Sequence, residues 1–404
     1  MAKDAGALAT AAAAVQEDVP RWRRHLHAHP ELSFHEEATA QFVDDTLRTF
    51  PGLEVSRPTR TSVMARLSGA AHGPVIALRA DMDALPITEE NDFEFASTNP
   101  GVMHACGHDG HTAILLGTAK VLSGLRQDLK GEVRFLFQHA EELFPGGAQQ
   151  MVDAGVMEGV DLVLGAHLWM PIEVGKVGVA AGPLLAAPDT FRIVVQGRGG
   201  HAAQPHLTVD SVAVGAQIVT NLQHVVARCT DPFDPLVVSV TKFIAGTADN
   251  IIPGSAELVG TVRSFNPQLR KDVPPLMERI VKGLTEAHGA GYTFEYRNGY
   301  RPVINDEKVT RWLRESLVET FGPERVVAEG LASMGGEDFS AFQTKAPGTF
   351  FLIGAGNPAK GIVHPHHHPR FTVDEDALPM GVQAFVHGVF DLLERAGAEK
   401  AAAL

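Results

Sequence analysis

Four short runs constrain the fold most: VIALRAD (75–81), EVRFLFQ (132–138), DLVLGAH (161–167) and TFFLIGAG (349–356) are apolar nearly throughout. A strand with one wet face would alternate, so runs of this kind belong to strands buried on both faces, and such burial demands helices above and below. The helices are legible around the runs. EEATAQFVDDTLRTF spaces its apolar residues three and four apart, and residues 11–29, 34–50 and 111–125 read as helices. Strands alternating with helices predict an α/β fold, a mostly parallel sheet with helices on both faces. Ligands of such sheets bind at the carboxyl ends of the strands. Asp81, Glu141 and His167 each stand at the end of one of these runs.

At 404 residues the chain exceeds one comfortable core. Near residue 186 the pattern changes to β-α-β-β-α-β: strands at DTFRIVVQG, LVVSVTKFIAG, SAELVGTVRSF and YTFEYRNGY, with helices over 210–228 and 271–288. That order is the ferredoxin-like split motif. Residues 187–300 are therefore expected to form an inserted α+β domain, and residues 1–186 with 301–404 the main domain.

The formal charge of −14 argues against nucleic acid or an anionic membrane as partner. No apolar run approaches the ~20 residues of a membrane span. Cys106 and Cys229 are too few for a disulfide framework, and ALATAAAAV is too weakly apolar and too poorly flanked by basic residues for a signal peptide. A cytoplasmic location is expected.

The chemistry lies in histidine, cysteine and glutamate. In HACGHDGH (104–111), Cys106 and His108 are spaced to meet one metal at a loop-to-helix junction, and the helix N-terminus is expected to lower the thiol pKa. The alternative is a buried free cysteine among capping histidines. His167 ends a strand, and HPHHHPRF (364–371) is an internal histidine-rich loop. Sulfur, imidazole and carboxylate together suit zinc, with manganese, nickel or cobalt as alternatives, and the donors suffice for two ions. The adjacent Glu141 and Glu142 then divide the labour, one ligating and the other moving a proton.

RRHLHAHPELSFHE, ALRADMDALPI, HACGHDGHTAILLG, HAEELFPGGA, GRGGHAAQPH, GTADNIIP, GTVRSF and MGGEDFSAF follow one another between about residues 21 and 390. This series resembles the signature of the metal-dependent amidohydrolases: hippurate hydrolase, bacterial N-acyl-amino-acid hydrolases and plant auxin–amino-acid conjugate hydrolases. Related carboxypeptidases and dipeptidases share their zinc-peptidase-like fold. The resemblance implies a pair of divalent ions held by Cys106, His108, Glu142, His167 and His367, with His366 and His368 near enough to leave that last choice open. It implies Glu141 as general base and a lid and dimerisation role for the insert. His201, Asn250 and Arg263, with Gly335 and Gly336 of the MGGEDFSAF segment, would meet the substrate. The implied substrate is a small N-acyl amino acid and the implied assembly a homodimer. Two alternatives stand beside this: a carboxypeptidase or dipeptidase with the same machinery, and a non-catalytic metal-binding protein. One departure is His139, where the family usually has proline before Ala-Glu-Glu. It would either perturb the neighbouring base or pack innocuously. Asp81 and Asp83 are expected to orient ligating histidines.

Overall fold

The computed structural model describes residues 5–402 and divides the chain into two compact units. The first comprises Met1–Leu184, Ile304–Leu331 and Asp338–Leu404, the second Leu185–Val303 and Ala332–Glu337. Residues 332–337 thus group with the insert, not with the main domain as expected. The reason is local hydrogen bonding: the Ala186 amide donates to Gly335 O at 2.8 Å, and Arg263 Nη1 donates to Met334 O at 3.4 Å.

In the first unit the strands are β1 (Leu53–Ser56), β2 (Val63–Ser68), β3 (Ala71–Asp81), β4 (Lys130–Gln138), β5 (Leu162–Glu173), β6 (Val177–Gly178), β15 (Val326–Val327) and β16 (Gly348–Gly356). They form one sheet in the order β1-β2-β4-β3-β5-β16-β6-β15. Its centre, β4-β3-β5-β16, is parallel and is built from the four apolar runs; β1 and β2 add an antiparallel edge. Every residue of β16 is buried, as a strand covered on both faces requires. The helices are α1 (Ala5–Ala13), α2 (Asp18–Ala28), α3 (Glu37–Arg48), α4 (His108–Gly124), α5 (Ala148–Asp153), α8 (Glu307–Phe321), α9 (Ser340–Gln343) and α10 (Ala377–Ala402). The helix expected over 11–29 is in fact α1 and α2, separated by a turn at 14–17. It stops before Pro30, because a residue preceding proline is disfavoured in the helical region.

One polar contact ties α2 to the start of α4. Arg23 Nε donates to Asp109 Oδ2 at 2.9 Å, and His27 Nδ1 meets the same oxygen at 2.8 Å, all three side chains being buried. Charged groups survive burial when paired in this way, and Asp109 also sits favourably in the first turn of α4. Its neighbour His108 is thereby held in place.

The chain passes through β7 (Gly182–Leu185) into the second unit and returns through β14 (Val303–Asn305). In between come β8 (Ala187–Gln196), β9 (Gly200–His201), α6 (Ser211–Cys229), β10 (Leu236–Ala245), β11 (Ile251–Ile252), β12 (Ser255–Ser264), α7 (Pro267–Ala287) and β13 (Gly291–Arg297). The antiparallel sheet order β10-β12-β8-β13 is the ferredoxin-like arrangement. Its core gathers Phe191, Ile193, Val195, Ile218, Leu222, Leu258, Val273 and Met277.

Asp189 is the polar anchor of this unit. It accepts from Arg270 Nη2 at 2.5 Å, the Gly299 amide at 2.7 Å and Tyr296 Oη at 3.0 Å. Asp189→Ala strands a largely buried guanidinium and should destabilise the second unit by roughly 3–5 kcal/mol in chemical denaturation. A loss below about 1 kcal/mol would mean that these contacts are redundant.

Candidate metal centre

The site residues of the first unit converge because the strands stop at staggered points. β3 ends at Asp81 and β4 at Gln138, three residues before Glu141. β5 continues to Glu173, so His167 lies inside a strand and not at its end, contrary to expectation. The pairing of β5 with β3 nevertheless ceases at Arg79–Gly165. Past that point β5 has lost one neighbour, and His167 stands beside the gap. Gly107, at φ +95, turns the extended Cys106 stretch into α4, a conformation open chiefly to glycine.

Each histidine has its orientation set by the nitrogen that is already bonded. His108 Nδ1 donates to Asp83 O at 2.9 Å, which leaves Nε2 bare. That Nε2 is buried and has no hydrogen-bond partner. His167 Nδ1 donates to Leu168 O at 2.7 Å, leaving Nε2 at 3.5 Å from Cys106 Sγ. His367 Nε2 lies 3.1 Å from Glu142 Oε1, and its backbone amide donates to Ala105 O at 2.7 Å. The flanking histidines are turned elsewhere: His366 Nε2 bonds Leu168 O at 3.0 Å, and His368 Nδ1 accepts from the Arg370 amide at 3.0 Å. The ligand atoms of Cys106, His108 and His167 lie within 4.8 Å of one another, and so do those of Cys106, Glu142 and His367. Cys106 belongs to both triads. Sulfur, imidazole and carboxylate are a donor mix for borderline divalent metals, and an orphaned buried imidazole nitrogen in their midst fits a metal.

The field inside the cluster agrees. Burial opposes charge on His108, but Asp81, Asp83 and Glu142 outweigh it and raise its pKa to about 10. The Cys106 thiol is pushed well up by burial and by Glu142, Glu141 and Asp81, so the expected lowering by the helix N-terminus is overridden. The enclosed negative charge contributes to both shifts, adding to burial at the thiol and overcoming it at the imidazole. A cation held there would reverse the thiol's shift. His167, by contrast, is driven well down by burial and by the neighbouring His111 and His366, and stays a neutral donor.

Asp83 and Glu36 shape the turn that carries the glutamate pair. Asp83 Oδ1 accepts the Glu141 amide and Oδ2 the Glu142 amide, each at 3.0 Å, while Ser33 Oγ donates to Oδ2 at 2.6 Å. Glu36 Oε1 accepts the Ala140 amide at 2.7 Å and the Phe34 amide at 3.0 Å. Ala140 itself is at φ +48, an uncommon backbone state for a residue with a side chain. Beyond the turn Glu142 lies with Cys106 and His367, and Glu141 is buried next to His108 and Glu142. Burial and Asp83 raise the Glu36 carboxyl to about 7. Nothing in the sequence distinguishes Glu36 from the half-buried Glu37 beside it, so periodicity could not have singled it out.

His111 is the other residue that sequence reasoning missed. Its Nδ1 donates to Asp81 Oδ1 at 2.6 Å and its Nε2 accepts the Leu168 amide at 2.8 Å. Asp81 therefore orients His111 and not a ligand; the backbone of Asp83 does that service for His108. His139 bonds Gln150 Oε1 at 3.0 Å and packs against Phe34.

His201, Asn250, Arg263, Gly335 and Gly336 all belong to the second unit. His201 pairs with Ile251, and the Ala202 amide donates to Asn250 O at 3.0 Å, so these loops are laced together. The His201 ring is exposed, and its Nδ1 accepts the Ala203 amide at 3.0 Å, which places the proton of the neutral ring on Nε2. Arg263 is half-buried, its Nε donating to Thr261 Oγ1 at 3.0 Å. At Gly336 a Cβ would come within 2.6 Å of Pro188, a close approach that only glycine allows.

Glu36→Ala leaves two amides without their acceptor and should cost about 1–3 kcal/mol. Glu36→Gln keeps Oε1 and should cost clearly less. Thermal unfolding of the two variants checks this; equal losses would show that Glu36 does not hold the turn.

Comparison with known proteins follows the same lines. A model of peptidase family M20/M25/M40 matches residues 77–390. An N-acyl-L-amino acid amidohydrolase of Geobacillus stearothermophilus is 68% identical over 291 residues, 72% of this chain and 79% of the relative. An N-acetylcysteine deacetylase of Bacillus subtilis is 42% identical over 374 residues, 92% and 96% of the two chains. Among solved structures, the Bacillus subtilis YXEP protein, described as a dinuclear metal binding peptidase of the M20 family, superposes with a TM-score of 0.83 at 38% identity, covering 95% of this chain and 99% of that one.

Proposed function

The chain belongs to the M20/M25/M40 peptidase family, and from that premise we propose that it is a metal-dependent amidohydrolase that cleaves the amide bond of N-acyl amino acids. The observation that carries this reading is the pair of ligand triads sharing Cys106, with a buried carboxylate, Glu141, beside them. A binding protein has no use for that second carboxylate. The preference for N-acyl amino acids over peptides is supported by the high identity to the Geobacillus amidohydrolase.

His108 and His167, each presenting Nε2, would hold one divalent ion and Glu142 with His367 a second, Cys106 serving both. The donors suit zinc, with manganese, nickel or cobalt as alternatives. Such ions supply Lewis acidity, polarising a carbonyl and bringing the pKa of water toward neutrality. Glu141 removes the proton from the attacking water and returns it to the departing amine. Asp83 keeps the glutamate amides fixed so that the base does not drift between these events. His201, with its proton on the exposed Nε2, is assigned to the developing oxyanion, and Arg263, Asn250, Gly335 and Gly336 to substrate contact. In this reading the first unit is catalytic and the second a lid that also forms a homodimer. The apolar exposed residues Phe243 and Ile244 on the edge strand β10 support the dimer. A cytoplasmic setting accords with two unpaired cysteines. Among the described residues no helix is long and apolar enough to cross a membrane.

The test compares the wild type with Glu141→Gln and Glu142→Gln on N-acetyl-, N-benzoyl- and indoleacetyl-amino acids and on dipeptides, with metal content measured in parallel. Glu141→Gln should keep its metal and lose turnover, whereas Glu142→Gln should lose metal. Equal metal loss would overturn the division of labour, and faster turnover of dipeptides than of every acyl amino acid would overturn the substrate assignment.

His201→Ala should retain metal content and melting temperature while kcat falls about 10²–10³-fold, the usual cost of losing one oxyanion donor. Turnover near the wild-type rate would make His201 a turn residue and nothing more.

A further inference from the structure

At the other end of the same strands the first unit has a second cavity. It measures about 470 Å³ and is framed by the starts of β3 and β4 and by α1, α8 and α10. The metal cluster lies at the far ends of those strands, a span of roughly 30 Å for the 11 residues of β3. The cavity has a buried polar floor and a charged rim. On the floor, Ser316 and His387 are 1% and 6% exposed. Ser316 Oγ and His387 Nε2 are buried with no hydrogen-bond partner. Orphaned polar atoms of this kind are uncommon and destabilising unless a partner reaches them. On the rim stand Asp128, Glu319, Asp391 and Glu394 against the single Lys130. Phe390 and Leu129 add apolar wall between floor and rim.

We propose that this cavity binds a small organic cation, an amine or amidine with an apolar body. The rim selects the charge, because four carboxylates facing one ammonium repel an anion and attract a cation. The floor selects the hydrogen bonding. An ammonium is a donor only, and it meets a serine hydroxyl and an imidazole that burial keeps neutral in spite of Asp391 and Glu319. Asp391 lies one turn beyond His387 on α10, on the same face of the helix. The apolar wall accepts the remainder of the ligand, as small-molecule pockets usually do. None of these residues takes part in the metal cluster, so the two sites are chemically separate.

Isothermal titration of the metal-loaded full chain with phenethylammonium and with 3-phenylpropionate tests the proposal. The cation should bind saturably, and the anion, whose own place is the metal cluster, should not compete with it. Glu319→Gln with Asp391→Asn removes two rim charges at exposed and half-buried helical positions, leaves the melting temperature unchanged, and should weaken the cation at least about tenfold. Glu141→Gln should leave that affinity as it is, which separates this cavity from the metal cluster. Ser316→Ala, which removes the floor hydroxyl without adding bulk, should also weaken binding. Absence of saturable binding, competition of the anion with the cation, or affinity unchanged in the rim double variant overturns the assignment.

Discussion

The carboxylate of Asp83 is the contact on which the candidate site depends. One oxygen fixes the amide of Glu141, the other fixes the amide of Glu142 and takes the Ser33 hydroxyl, and the same residue's carbonyl fixes His108. A buried carboxylate is costly unless all its lone pairs are used, and here they are used on the backbone of the residues that need placing. Adjacent glutamates in an extended strand would face opposite ways. Held in a turn by Asp83 and Glu36, one side chain joins Cys106 and His367 while its neighbour stays beside His108.

A second consequence is electrostatic. Asp81, Asp83, Glu141 and Glu142 surround the buried His108 and the half-buried Cys106, and they drive the imidazole toward protonation and, together with burial, the thiol away from ionisation. Such a cage is poorly matched to its own side chains and well matched to divalent cations. Arg79, also buried, offsets part of the charge through its 2.8 Å contact with Asp81. His111 is bonded at both nitrogens, to Asp81 Oδ1 and to the Leu168 amide, and so is held beside the cluster.

The two ends of the parallel sheet are treated differently by the chain. At the carboxyl ends the loops bring in histidine, cysteine and glutamate; at the amino ends α8 and α10 leave a cavity with an acidic rim. Placement of sites at the carboxyl ends is general for open α/β sheets. The cavity at the other end has no such rule behind it, and its character comes from the particular residues that line it.

Local chemistry, carried by the order of residues alone, settled the strands, most helices and the donor types. The runs at 75–81, 132–138, 161–167 and 349–356 became β3, β4, β5 and β16 because an unbroken apolar run has no stable place except between two helical layers. The split motif of the insert was readable for the same reason, since hydrophobic period reports which face is buried. What had to wait for the folded chain was everything set by residues distant in sequence. The Cys106 thiol is expected to be acidic from its helix N-terminus, and it is instead pushed up by burial and by carboxylates 25 to 36 residues away, effects that no local pattern encodes. Glu36 looks like Glu37 until the amide of Ala140 arrives, 104 positions on. Among three consecutive histidines, only the bonds that His366 and His368 make elsewhere leave His367 facing Glu142. Periodicity specifies a face of an element, whereas a ligand cluster is specified by where several elements stop, and that is decided by packing.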